Sequence, residues 1–130
     1  VDPDNWDTNF SEQWKAQVLR QAQRYPDLPV TSESKGVVAL YDVADDWIPI
    51  YDKSSLPGFY MAIGSSGNQY KNAPLAGIIM AELISSCENG ANHDLNPIKL
   101  HLKYIDREID LGFYSRNRKI NKESSMSVLG

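Results

Sequence analysis

Residues 56–74 read Leu56-Pro57-Gly58-Phe59-Tyr60-Met61-Ala62-Ile63-Gly64-Ser65-Ser66-Gly67-Asn68-Gln69-Tyr70-Lys71-Asn72-Ala73-Pro74, and this order could gather donors around a negative charge. Aromatic and aliphatic residues alternate from Gly58 to Ile63 as in a buried strand. Gly64 and Gly67 then permit tight turns and close backbone approach to a ligand. Pro74 suits the first turn of the following helix, where a missing N–H costs little. Unpaired N–H groups at such a helix start attract anions, and Lys71 adds a mobile cation beside them.

Other chemistries fit less well. A phosphate-binding P-loop needs Gly directly before Lys and a hydroxyl after it, whereas Tyr70 precedes Lys71 and Asn72 follows. The serines of the loop do not form G-x-S-x-G, so a hydrolase nucleophile is poorly supported. His93 and His101 are the only imidazoles, with no second pair of soft ligands at metal spacing, and both read as surface or structural residues. Asp42, Asp45 and Asp46 could form a carboxylate cluster, but at a strand end they read as bend formers. Taken alone, the glycine loop is a tight strand-to-helix turn.

The elements that must position the loop follow from periodicity. Phe10, Trp14, Val18, Ala22 and Tyr25 predict a helix over 9–24, capped by Asp7 or Thr8, with one buried face, and Tyr25-Pro26 ends it. Strands are expected at 35–43, 47–51, 58–63 and 98–104, with turns at 53–58 and 89–97. Over 72–87 the pattern is helical, and the stripe Ala73, Gly77 and Ala81 is expected to lie close on a sheet. Leu111-Gly112-Phe113-Tyr114 forms a short apolar knot, and 121–130 reads as loop. The expected class is α+β, a small mixed sheet with two main helices in one domain over residues 1–130.

Composition narrows the partners. With 130 residues and 42% hydrophobic content the chain can bury one modest core. A net charge of −4 argues against a general nucleic-acid surface. The one dense basic stretch, Arg116-Asn117-Arg118-Lys119, reads as a solvated turn or helix end. Cys87 is the sole cysteine, which excludes an intrachain disulfide and suits a reducing compartment. No run approaches the roughly 18 apolar residues of a membrane span, and residues 1–5 lack a signal-peptide pattern, so the expectation is a soluble, cytoplasmic protein.

Two blocks together carry a resemblance. Gly36-Val37-Val38-Ala39-Leu40-Tyr41-Asp42-Val43-Ala44-Asp45-Asp46-Trp47-Ile48-Pro49-Ile50 and residues 56–74 resemble the carboxy-terminal part of the FAD-dependent D-amino-acid oxidase superfamily, nearest its sarcosine and glycine oxidases. That family shows a glycine-x-tyrosine or arginine segment, a T-P-D-x-x-P-I-like turn, then P-G-L-Y-V-A-x-G-x-S-G-x-G-F-K-x-A-P and a closing helix. Residues 9–24 followed by Arg24-Tyr25-Pro26 are similar to its helix ending in R-[FY]-P. The resemblance covers most of the chain, and the glycine-to-proline block is its specific part.

It implies that Gly64, Ser65, Ser66, Gly67, Asn68, Gln69, Tyr70 and Lys71 pass the pyrimidine edge of FAD, that Lys71 meets a substrate carboxylate, and that Tyr41 belongs to the catalytic positions. The substrate class implied is an amine or amino acid. Departures qualify the transfer. Ala39 stands where sarcosine oxidases carry the flavin-linking cysteine, so non-covalent FAD is implied. Tyr41 replaces the carboxylate-binding arginine of glycine oxidases, and Asn68-Gln69 replaces a common His-Gly pair. The pyrophosphate fingerprint G-x-G-x-x-G does not occur.

The resemblance therefore implies the last third of an FAD-dependent oxidoreductase, a carboxy-terminal fragment of a Rossmann-like FAD-binding plus substrate-domain architecture, inactive alone and completed by a missing amino-terminal FAD-binding part or a separate chain. Apolar surface exposed at that junction would favour homo-oligomers. The alternative is a stand-alone, non-catalytic binding or interaction module.

Overall fold

A computed structural model describes residues 1–29, 35–67 and 69–124. The chain divides into two compact units, Val1–Leu40 and Tyr41–Gly130.

The first unit is built on one helix, α1, Glu12–Ala22. Its amino-terminal cap is Ser11, whose Oγ accepts the Trp14 N–H at 3.1 Å, with Glu12 in the first turn. The expected caps are corrected: Asp7 instead accepts the backbone and side-chain N–H groups of Asn9, each at 2.9 Å, in a local turn that precedes the helix. Phe10 stacks on Trp14 with ring centroids 4.5 Å apart. The expected buried face is not formed, because Ala22 alone is buried while Trp14, Val18 and Tyr25 stay exposed.

The second unit is α+β. Strands β1, Ile50–Lys53, and β2, Tyr60–Ile63, pair antiparallel with Ile50 opposite Ile63 and Lys53 opposite Tyr60. Their turn is closed by the Ser54 N–H donating to the Phe59 carbonyl at 2.8 Å. A 3-10 turn, Tyr70–Asn72, leads into α2, Ala73–Glu88, with Pro74 in its first turn as expected. Strands β3, Lys99–Leu102, and β4, Arg107–Asp110, form a second antiparallel pair, followed by a 3-10 turn at Leu111–Tyr114.

There are thus two separate two-stranded sheets rather than one mixed sheet, and residues 35–43 join no strand among the described residues. Isolated hairpins are marginal in water, so both depend on a shared core, which β1 joins through Tyr51 and β3 through Leu100. The core is Tyr51, Ile79, Leu83, Leu100 and Leu111, with Leu75, Met80, Cys87, Ile98 and Tyr114 packed around it.

The expected packing of α2 is reversed. Ala73, Gly77 and Ala81 are exposed, and Leu75, Ile79 and Leu83 face the core. Two short hairpins leave a core that bulk must fill, and each buried Leu or Ile contributes about 1.5–3 kcal/mol that a stripe of Ala and Gly cannot supply. No described helix is long and apolar enough to cross a membrane.

Candidate functional site

Three left-handed residues shape the loop after β2. Gly64 and Gly67 have φ of 69° and 73°, and Ser66 shares the left-handed region at 51°. A serine there costs about 1 kcal/mol or more, so its surroundings must hold it. Its N–H donates to the Asp42 carbonyl at 2.9 Å, its Oγ donates to the Gly64 carbonyl at 3.1 Å, and the same Oγ accepts the Ala44 N–H at 3.4 Å.

Asp42 is the organiser of this loop. Its carboxylate accepts the N–H of Gly64 at 2.8 Å, the N–H of Ser65 at 3.0 Å and the Ser65 hydroxyl. The Ser65 hydroxyl first, and then the Ser65 and Gly64 N–H groups, hold the Asp42 carboxyl below the usual carboxylate range. Tyr41 sits on the loop as well: a Cβ at Gly67 would lie 2.9 Å from its ring, so glycine is required there by both φ and space. The structure thus brings Tyr41 together with residues 64–67.

The eight loop positions separate into two halves. Gly64 and Ser66 are buried, with Ser65 half-buried between them, and the N–H groups of Gly64 and Ser65 are spent on Asp42. Gly67, Tyr70 and Lys71 face solvent, Tyr70 at 97% exposure, and Lys71 makes no ion pair among the described residues. Gln69 bridges the halves, its Oε1 accepting from the Tyr51 hydroxyl at 3.3 Å and from Asn72 Nδ2 at 2.9 Å. Asn68 lies outside the described residues.

The helix start is less open than expected. Asn72 donates its N–H to the Gln69 carbonyl at 2.9 Å, Ala73 donates to the Tyr70 carbonyl, and Pro74 has none to offer. The 3-10 turn has consumed donors that an anion would otherwise meet.

A second cluster was not legible as a site. Asp46, read as a bend former, is buried, and its carboxylate takes Arg118 Nη2 at 2.6 Å and Nε at 2.9 Å. The Arg118 hydrogen bonds are the main reason that its carboxyl is lowered to about 2. Asp52 is fully buried in β1, where Oδ2 accepts Ser115 Oγ at 3.0 Å and both the N–H and Nη1 of Arg116, at 2.8 and 3.0 Å.

Arg116 also grips Asp94 through Nη1 and Nη2 at 2.9 and 3.1 Å, and Lys53 Nζ lies 3.0 Å from the same carboxylate. Arg116 and then Lys53 lower the Asp94 carboxyl to about 2. The basic stretch is therefore no solvated turn: Arg118 keeps only 9% of its side chain exposed. Nothing local in the sequence signals it, because Asp52 lies one residue past the expected strand 47–51 and becomes a buried carboxylate in need of donors only through its place inside β1.

His93 takes a structural place, buried with Nδ1 accepting the Ile98 N–H at 3.1 Å, and His101 is exposed on β3. Among the described residues, no group of three or more His, Cys, Asp or Glu could hold a metal ion.

Compared with protein-family models, with curated proteins and with solved structures, the chain gives no match.

Proposed function

We propose that the chain supplies one edge of the flavin site of an FAD-dependent oxidoreductase acting on an amine or amino acid. The observation that carries this reading is the seating of Tyr41 against Gly67, which joins the two sequence blocks of the resemblance in one place. The fit is confined to the exposed half of the loop: Gly67, Tyr70 and Lys71 are open to a ligand, whereas Gly64, Ser65 and Ser66 shape the loop from beneath.

The chemistry supplied by bound FAD is hydride acceptance from the carbon next to nitrogen. In that reading the Lys71 ammonium stabilises negative charge at the ring edge or orients a substrate carboxylate. Tyr41 walls the loop at Gly67, and Asp42 keeps the loop in shape without touching the ligand. The remaining cofactor contacts belong to an amino-terminal part or a separate chain.

The test is the flavin content of the intact gene product and the rate at which amines and amino acids reduce that flavin. Lys71→Ala is expected to slow reduction by roughly 100-fold, the usual worth of one charge-stabilising donor. A product that carries and binds no flavin overturns the proposal.

A second reading, a non-catalytic interaction module, is favoured by one observation. The Gly64 and Ser65 donors are already occupied by a carboxylate of the same chain. Wild-type rates in Lys71→Ala, with flavin retained, would favour that module or a structural subunit.

A further inference from the structure

Among the buried polar atoms, His93 Nε2 stands out, because it has no hydrogen-bond partner among the described residues. Nδ1 accepts the Ile98 N–H, which leaves the ring hydrogen of the neutral imidazole on Nε2. That Nε2 lies 3.8 Å from Asp52 Oδ1, too far for a hydrogen bond, and both side chains are fully buried. The ring is therefore placed between a backbone donor that it satisfies and a carboxylate that it narrowly misses.

We propose that His93 is a proton-operated latch: neutral, it holds the Ile98 N–H; protonated, it releases that N–H and closes on the Asp52 carboxylate. An imidazolium has two donors and no acceptor, so Nδ1 cannot gain a proton and keep the Ile98 bond. A ring shift of about 1 Å brings Nε2 within hydrogen-bond range of Oδ1. The neutral ring keeps the Ile98 bond; the protonated ring turns a second donor on that N–H and exchanges the bond for a charge-assisted one to Oδ1, which also accepts the Lys53 N–H at 2.7 Å.

The surroundings set the balance. From β1, Asp52 attracts the imidazolium and Lys53 opposes it. From the segment after Leu111–Tyr114, Arg116 opposes it while occupying Asp52 Oδ2. The neighbouring Asp94 attracts it but is itself gripped by Arg116 and Lys53. At the end of α2, Cys87 receives the His93 backbone N–H, and burial pushes its thiol up, keeping it neutral.

The mechanical consequence falls on residues 94–97. They are held at one end by the Asp94 ion pairs and at the other by the His93–Ile98 bond, next to the Leu111 N–H donating to the Ile98 carbonyl at 2.9 Å. Protonation releases only the Ile98 N–H at the second end, whose carbonyl stays on Leu111. The latch is independent of the flavin reading.

The test is NMR of the full chain between about pH 8 and about pH 5, where imidazoles titrate. The His93 ring shifts and the protection factor of the Ile98 amide are followed together, with exchange corrected for its intrinsic pH dependence. The Ile98 protection is expected to fall about tenfold as the ring protonates, while the Leu100 amide in the core keeps its protection. His93→Asn, whose carbonyl oxygen can accept the same N–H but cannot titrate, is expected to show a flat Ile98 profile. A ring that stays neutral down to about pH 5, or one that titrates with Ile98 protection unchanged, overturns the proposal, and so does an equal fall in folded His93→Asn. Should that variant fail to fold, the wild-type titration decides alone.

Discussion

Asp42 and Asp46, four positions apart, are both acceptors that collect donors from elsewhere in the chain, yet they do different physical work. Asp42 is exposed and gathers two backbone N–H groups and one hydroxyl from the 64–67 loop. Asp46 is buried and gathers an arginine from 72 residues away. Water can replace the donors of Asp42 if they are lost, but it cannot reach Asp46. The first aspartate shapes a loop that a ligand could meet; the second ties the end of the described chain to its middle.

Removing the cation at the buried site should cost most. Arg118→Ala leaves Asp46 as an unpaired buried charge and also strips hydrogen bonds from the Ile48 and Ser115 carbonyls. Loss of one partner from a buried pair costs roughly 3–5 kcal/mol, to be read from urea unfolding at neutral pH.

The sign of the pH dependence follows from the lowered carboxyl. The Asp46 value is about 2 in the fold against 3.8 ordinarily, so its stabilisation is present above about pH 4 and is lost as pH falls towards 2. The gap between wild type and Arg118→Ala should therefore narrow over that interval. A gap that stays constant would mean that Asp46 is not the group Arg118 serves.

At the exposed site the corresponding change should cost less. Asp42→Ala removes three hydrogen bonds to a charged acceptor, but the freed donors regain water, and the expected loss is about 1–2 kcal/mol. Its specific mark is local: exchange at the Gly64 and Ser65 amides should rise while the Ile79 and Leu83 amides in α2 stay protected. Global loss of protection would show instead that the loop is part of the core.

The same contrast explains what was legible in the sequence. Helix α2, β2 and β3 announced themselves because their apolar spacing is local, and the helix spans 73–88 against an expected 72–87. Helix α1 existed where expected but shortened, since Ser11 outcompeted Asp7 as the cap. Strand β4 left no trace, because Arg107-Glu108-Ile109-Asp110 offers one apolar residue.

Of the site, the two blocks that carry Tyr41 and Gly67 were readable. The bonds of Asp42 to residues 22 and 23 positions on, and of Arg116 to Asp52 across 64, were not. Pairing over such distances has no period to read. The open helix start was overestimated for a different reason: the bonds that close it are local, from the Asn72 and Ala73 N–H groups to carbonyls three residues back, but no residue type there marks a 3-10 turn ahead of the helix.

Gly67 and Gly77 sharpen the comparison further, because one glycine is fixed by its contacts and the other is not. At Gly67 the backbone is left-handed and the Tyr41 ring occupies the place of a Cβ. At Gly77, in the second turn of α2, a Cβ would meet nothing within 4 Å. Gly77→Ala therefore adds helix propensity and removes unfolded-state freedom without a clash, and is expected to stabilise by about 0.5–1 kcal/mol in urea unfolding. That gain is the smallest effect here but the most diagnostic for the outer face of α2. A loss of stability would mean that another surface packs closely on Ala73, Gly77 and Ala81.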